Sequence, residues 1–397
     1  MLMVMNKKTT RVVIVGGGFG GVKTALELAN KPGFSVQLIS DNTHFEYHGA
    51  LYRSAIGHSP MEVVIPLKDI FEEAKNVELI LDSAGVIDAK KKRIGSLTGH
   101  VYSYDKAVFA LGNTVNYFGI SGLEAHTETM HDISSTIKLR TALVTLLSKA
   151  STKPVKVAIV GAGASGVELA GEIQNFAGLI AKRHRIKTPN VKVTLIDGAP
   201  RVLPMLSEKA SAKVAKHLHS LGVEIHLNVQ VESCEPGAVC LNAGDLKADL
   251  IIWTAGSKPV DFFANNSSVF TLGRAGRVVV NEHLNPTSDT DIFVLGDNAD
   301  TKFSGMAQTA LHDAKFVARV IEADQKNKPR PTYKPKQPVY VVTAGPKWAV
   351  VQNGKRLTTG YRGWLFRRQA DLTIFKNFEP YKQAIKTWRH ANRISKF

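Results

Sequence analysis

The 397-residue chain is 44% hydrophobic and 21% charged, which excludes an extended disordered chain and leaves room for roughly two or three packed units. Its formal charge of +17 is uneven: residues 331–397 carry fourteen Lys or Arg against Asp371 and Glu379, +12 in all, and three of the four tryptophans. Two cysteines, Cys234 and Cys240, are too few for a disulfide framework and fit a reducing compartment.

The opening MLMVMNKKTT lacks the apolar run of a signal peptide. Residues 12–15 then read as a short buried strand, 19–30 have helical apolar spacing, and 36–39 form a second strand, which together make a βαβ unit. Strand-like runs follow at 77–81 and 106–110. The longest uncharged run, 107–123, is broken by Gly, Asn, Thr and Ser and falls short of the roughly 20 apolar residues of a spanning helix, so no transmembrane helix is expected. Residues 155–160, 164–183 and 191–196 repeat the βαβ grammar, and further strands are expected at 223–227, 250–254 and 292–295. The cysteines flank a Glu-Pro-Gly turn signal, so they could face each other across a hairpin, and they are expected to be plain buried thiols. Several strands end at glycine, at Gly112, Gly256 and Gly296, where only Gly lets a ligand lie close against the carboxyl end. In the tail, PVYVVTAG, WAVVQ and RLTTG flank Asn353-Gly354, a type I′ hairpin signal, and a helical aromatic segment follows.

Gly16-x-Gly18-x-x-Gly21 and Gly161-x-Gly163-x-x-Gly166 each follow a strand and open a helix. The first Gly makes the tight turn, the second admits the pyrophosphate, the third packs helix on strand, and the helix N-terminus attracts the anion. One such pattern is weak evidence; two, each in a βαβ frame, are strong. At the end of the second unit's second strand, Asp197 would accept from the ribose 2′-OH and repel a 2′-phosphate, favouring NADH over NADPH, with Arg201 near enough to soften the preference. In the first unit Ser40 precedes Asp41, so the acid comes one place late; the adenosine ribose is assigned to Asp41. The segment TSDTDIFVLGDNAD places Asp297 where a flavoprotein binds the ribityl chain of FAD. A helix beginning near Met306 would aim its dipole at the flavin edge that becomes negative on reduction.

With these pieces the chain resembles the two-dinucleotide-binding flavoproteins, and within them the type II NADH:quinone oxidoreductases, over roughly residues 11–368. HFEYHGALYR, ALGNTVNYFGISG, GAGASGVELAGE, VTLIDGAPRVLP, WTAGSKP, LGDNAD and MAQTALHDAKFVA carry the likeness. The resemblance implies an α/β fold with two Rossmann-like dinucleotide-binding domains. The FAD-binding domain is discontinuous (8–120 and 259–330), the NADH-binding domain is inserted (121–258), and 331–397 form a C-terminal hairpin and basic amphipathic membrane-attachment region. It implies that FAD contacts Gly16, Gly18, Phe19, Gly20, Gly21, Asp41, Ala84, Gly112, Asp297, Ala307 and Gln308. NADH as substrate would meet Gly161, Gly163, Gly166, Glu168, Asp197 and Gly256. Hydride would pass from NADH to the flavin and two electrons on to a membrane quinone, a transfer that needs alignment rather than an acid or base. Glu168 stands where relatives keep a carboxylate beside the nicotinamide, to orient it or to bring protons to the quinone, and Glu172 follows one helical turn on. Gln308 matches the quinone-side glutamine. The chain departs from the family where further glutamines often follow, reading Leu311-His312-Asp313; His312 is a candidate proton donor there.

His44 and His48 are spaced i, i+4 without a third ligand nearby, so no metal is expected. No cysteine lies in the first helix, which argues against disulfide-reductase chemistry, and the two present fall in the NADH unit, away from where sulfide:quinone oxidoreductases need theirs. Read as a helix, 381–394 places Tyr381, Ile385 and Trp388 on one side and Lys382, Lys386, Arg389 and Arg393 on another, with the FRR before Gln369 adding to the basic face. That pattern fits an anionic membrane surface, on the cytoplasmic side of the inner membrane as a peripheral protein, with a homodimer as an option. Two other classes remain: a reductase of a small redox protein of ferredoxin or rubredoxin type, and a basic flavoprotein that binds nucleic acid. No nucleic-acid motif is present, and nucleic acid is not expected as a partner.

Overall fold

The computed structural model describes residues 9–149 and 153–390. Thr10–Val15 sits at the centre of a five-stranded parallel sheet ordered Ile292–Val294, Lys106–Phe109, Thr10–Val15, Phe34–Ser40, Val77–Leu81. Val12, Val13, Ile14 and Val15 are all buried, as both faces of a helix-covered parallel strand must be. A second five-stranded parallel sheet runs Glu128–Thr129, Leu250–Trp253, Val155–Val160, Val191–Asp197, Val223–Leu227. The strands expected from sequence are present within a residue or two, and the two glycine-turn helices span Phe19–Leu28 and Ala164–His184. The fold is mixed α/β with two Rossmann-like sheets.

The Ile133–Ser148 helix had no apolar period strong enough to announce it. Its start is nevertheless written locally: Asp132 accepts the Ser135 N–H at 2.7 Å and Ser135 Oγ accepts the Asp132 N–H at 3.1 Å, a capping box. Three antiparallel strands, Tyr340–Thr343, Ala349–Asn353 and Arg356–Gly360, form the tail hairpin. The type I′ expectation is corrected. Asn353 pairs with Arg356, so Gly354 and Lys355 make the turn, and only Gly354 has positive φ (56°), whereas type I′ needs it at both positions. The cysteines also differ from expectation: Cys234 pairs with Val239 and Cys240 with Ser233, so they lie on opposite faces of their hairpin and both are free thiols.

The tail is a brace between the two dinucleotide units. Its hairpin buries Val342, Ala344 and Val350 in the core of the second unit, with Val167, Ile173 and Leu195. Trp348 stacks on His217 at 4.3 Å, and Gln352 Oε1 accepts the Ser207 N–H at 2.9 Å. The Tyr361–Phe378 helix then crosses to the first unit, where Phe378 stacks on Phe45 (4.2 Å) and meets Phe19 edge-on (5.7 Å). This corrects one reading of the basic tail. Arg367 of the FRR is 4% exposed, because Glu168 of the second unit and Asp371 of its own helix claim its guanidinium. In the Tyr381–His390 helix Tyr381 is exposed and Ala384 is buried. Arg393 lies outside the described residues. Among the described residues no helix is long and apolar enough to cross a membrane.

Candidate functional site

The two glycine turns are near copies. Gly16 N–H donates to Ile39 O at 2.8 Å and Gly161 N–H to Ile196 O at 2.7 Å, with φ of 118° and 114°. A Cβ on Gly21 would lie 1.9 Å from Gly16 O, and one on Gly166 1.8 Å from Gly161 O, so the third glycine is demanded by helix–strand contact. Around Gly18 and Gly163, by contrast, nothing lies within 4 Å of an added Cβ. That open space, at the N-terminus of a helix with no acid in its first turn, fits a pyrophosphate in each unit. Phe19 and Gly20 are buried, and Gly20 faces Leu295, so the Phe19 side chain packs inside while the N–H groups of both stand in the first turn, at the helix mouth.

By register, Ser40 and Asp197 are equivalent, each following the residue that receives the first glycine's N–H. Asp197 accepts the Ala162 N–H at 2.6 Å and the Ala199 N–H at 2.7 Å, which ties the carboxylate to the glycine turn and leaves each oxygen a second lone pair. Arg201 turns away, donating to Pro204 O at 2.8 Å. Asp41 is exposed one place beyond the strand, bonded only locally by Asn42 Nδ2 (3.1 Å). Ala84 opens the strand Ala84–Asp88, two residues past Asp82, whose N–H donates to Ser40 O at 3.0 Å.

The carboxyl ends of the first sheet meet at a turn that sequence reasoning only half saw. Asn298, 0% exposed, accepts the Gly112 N–H at 3.0 Å through Oδ1 and donates to Gly112 O at 2.6 Å through Nδ2. The asparagine of the LGDN run was the available signal. Asp297 beside it accepts from Asn113 Nδ2 at 2.9 Å, and burial raises its carboxyl while Arg277 and His48 pull it back. Asn113 Oδ1 is buried without a hydrogen-bond partner, an acceptor left for a ligand. The Ala307–Gln325 helix starts at Ala307. Gln308, expected to offer its amide to a quinone, spends half of it on the backbone: Nε2 donates to Val339 O (2.8 Å) and Oε1 accepts the Val339 N–H (3.1 Å). His312 is bonded to Lys334 O at 2.9 Å, which fixes its Nε2 as a donor.

Between the units lies a buried ion network. Glu168, 5% exposed, accepts from Arg367 Nη1 at 2.8 Å and from Thr343 at 3.3–3.4 Å. Arg367 also donates to Asp371 at 3.0 Å and to Gly49 O; Asp371 in turn accepts from Arg53 and, at 2.8 Å, from Tyr47. Burial pushes Asp371 up, but Arg53 and Arg367 outweigh it, so the carboxyl is held below its usual range. Two arginines are balanced by Asp371 and one further carboxylate. Glu172, 8% exposed with only a 3.4 Å bond from Asn175, is the acid left over, and burial pushes it up to about 7. Burial raises Glu168 as well, against the pull of Arg367. Tyr47, Arg53, Arg367 and Asp371 were not singled out from sequence; the spacing of arginine and acid at 367 and 371, one helical turn apart, was the signal.

At the carboxyl ends of the second sheet a cleft of about 260 Å³ is lined by Thr129, His131, Ser165, Trp253, Thr254 and Gly256 among others. Gly256 is required by the protein itself, since a Cβ there would lie 2.5 Å from Asn116 O. A wider cleft of about 410 Å³, at the opposite end of the first sheet, is crossed by ion pairs of Lys92 and Lys106 with Asp291 and Asp324 and holds none of the expected site residues.

Residues 10–314 match the family of pyridine nucleotide-disulphide oxidoreductases. The chain is 33% identical to the type II NADH:quinone oxidoreductase Ndh of Mycobacterium tuberculosis over 338 residues, 79% of this chain and 72% of that protein. It is 29% identical to the NdhA enzyme of the same organism over 95% of this chain and 86% of that one. Among solved structures it is similar to NDH2 of Plasmodium falciparum in complex with NADH, with a TM-score of 0.86 at 16% identity over 97% and 98% of the two chains. The sulfide:quinone oxidoreductase of Aquifex aeolicus shares the fold at a TM-score of 0.77 and 21% identity, over 96% and 92%.

Proposed function

From the premise that the chain belongs to the pyridine nucleotide-disulphide oxidoreductases and, within them, to the type II NADH:quinone oxidoreductases, we propose that it carries two electrons from NADH through FAD to a membrane quinone. The observation that carries this reading is the pair of matched cradles, each open only at its second glycine. FAD held by the first unit would supply the hydride acceptor for the nicotinamide and the two-electron donor for the quinone.

Gly18 and the Phe19–Leu28 N-terminus would bind the FAD pyrophosphate, Asp41 its adenosine ribose, and Asp297, Asn113 and the Gly112–Asn298 clamp the ribityl and ring end. Gly163 and Asp197 would do the same for NADH, whose nicotinamide end then reaches toward the 260 Å³ cleft. Reduction of the quinone by NADH consumes one proton beyond the hydride. Glu172, pushed up to about 7 by burial and so able to gain and lose a proton near neutrality, would hold that proton, while Glu168, fixed by Arg367 and Thr343, would orient the nicotinamide side. Gln308 keeps one N–H to donate to a quinone carbonyl and one lone pair for the O–H of the quinol, and uses the others to hold the strap before the hairpin. Asp197→Asn, which keeps an acceptor but removes the charge, is expected to raise the KM for NADH about tenfold and narrow the preference over NADPH; steady-state kinetics with both nucleotides would show it, and an unchanged ratio would remove Asp197 from the site.

The outer face of the Tyr361–Phe378 helix supports a peripheral membrane location. Tyr361, Leu365 and Phe366 are about half exposed on a helix that also exposes Arg362 and Lys376. That exposure favours an attachment face on this helix over one on the Ile385–Trp388 side, where Trp388 donates to Arg368 O at 2.7 Å and stacks on its guanidinium. Burying each apolar side chain in lipid is worth roughly 1.5–3 kcal/mol, so the Leu365→Ser, Phe366→Ser pair is expected to weaken sedimentation with anionic phosphatidylglycerol vesicles at least about tenfold. Equal sedimentation of variant and parent would reject this face.

A further inference from the structure

Asp313, wholly buried on the Ala307–Gln325 helix, holds two segments with its two oxygens. Oδ2 accepts the Gly296 N–H at 3.0 Å, and Oδ1 accepts the Tyr333 O–H at 2.5 Å. Gly296 is left-handed (φ 66°), and a Cβ added there would lie 3.2 Å from Ala310 Cβ, so the turn is seated on the helix one turn before Asp313. On its other sides the turn is held by Arg277 Nε, which donates to Asp297 O at 3.1 Å, and by the Asn298–Gly112 clamp. Among the described residues no cation is hydrogen-bonded to Asp313. Its titratable neighbours are His312 on its own helix and Asp297 across the turn, and Asp297 itself faces Arg277 and His48. The carboxylate is therefore kept by two neutral donors, which is an uncommon state for a wholly buried acid.

We propose that Asp313 is a positioning residue for the flavin turn: through the Gly296 amide it fixes the direction of Asp297, and it sets a second buried carboxyl behind the turn that would hold the flavin, an inference that rests on the flavin reading above. Burial pushes its carboxyl up to about 6 against the two hydrogen bonds. Above that pH the group is charged, and negative charge arriving on the reduced ring makes it bind its proton more tightly. Reduction then takes up a proton at Asp313 in a window that opens near pH 6 and extends upward. Inside the window the flavin equilibrium shifts by one extra factor of ten per pH unit, about 30 mV for a two-electron couple; outside it Asp313 adds no slope.

The test is a redox titration of the flavin in the intact holoprotein, followed by its visible absorbance against reference dyes at several pH values. Asp313→Asn keeps the shape and an acceptor for Gly296 while removing the charge, so it is expected to favour the reduced form about tenfold at neutral pH and to lose the extra slope. Tyr333→Phe takes one donor from the carboxylate and is expected to move the window to higher pH. Parent-like potential and slope in Asp313→Asn overturn the inference. Should that variant fail to retain flavin, an unmoved window in Tyr333→Phe does the same. A parent that binds no flavin removes the proposed function and this inference together, whereas a parent that titrates beside unresponsive variants removes this inference alone.

Discussion

Replacing Arg367 with methionine is expected to cost about 3–5 kcal/mol of stability, the usual price of removing one member of a buried ion network. Three acceptors each lose a donor together: Glu168, Asp371 and the Gly49 carbonyl. Because the guanidinium joins the tail helix to both dinucleotide units, the loss should appear as a lower first unfolding transition and as slower reduction by NADH, with Glu168 released from its place. Glu172→Gln should act in the opposite sense. A carboxyl raised to about 7 contributes stability that is full below its ordinary value and is lost as pH rises through 7. The glutamine variant is therefore expected to match the parent in acid and exceed it above pH 7. Urea titrations of both variants against pH would show the pattern; an Arg367→Met protein as stable as the parent would mean the network does not join the parts.

Two alanines three residues apart should behave in unlike ways. At Gly163 the space beyond an added Cβ is empty, and the backbone (φ −73°, ψ −170°) suits any residue, so Gly163→Ala should fold, keep its flavin and lose NADH affinity by about 10–100-fold, some 1.4–2.8 kcal/mol. At Gly166 the same methyl would lie 1.8 Å from Gly161 O, forcing helix from strand at a cost of about 1–3 kcal/mol or more. That variant should lose thermal stability first and NADH binding only in consequence. Isothermal titration with NADH beside thermal melts separates the two, and a Gly163→Ala protein with parental NADH affinity would contradict the placement of the pyrophosphate.

Most of what was legible in the sequence was local. Apolar runs with glycine at fixed offsets announce βαβ units because strand burial, the tight turn and the helix–strand contact each constrain a particular position, as Gly16 and Gly161 show with matching bonds. The buried network was not legible, since Tyr47, Arg53, Glu168, Arg367 and Asp371 come together only when hairpin and tail are docked, and an arginine in a basic run reads as solvated until a carboxylate claims it. The same holds for the tail, whose charge suggested a surface while Ile374, Phe375 and Phe378 made it part of the first unit's core. Gln308 shows the limit in another way: its bonds to Val339 come from a strap that no motif describes.

The most direct measurement is to mix the purified protein with NADH in the absence of oxygen, follow the visible flavin band, and then add a short-chain quinone. The account predicts bleaching on the first addition and recovery of the yellow colour on the second, with one NADH consumed per quinone reduced. A polypeptide that stays colourless after incubation with FAD, or a yellow one that NADH fails to bleach, would contradict it.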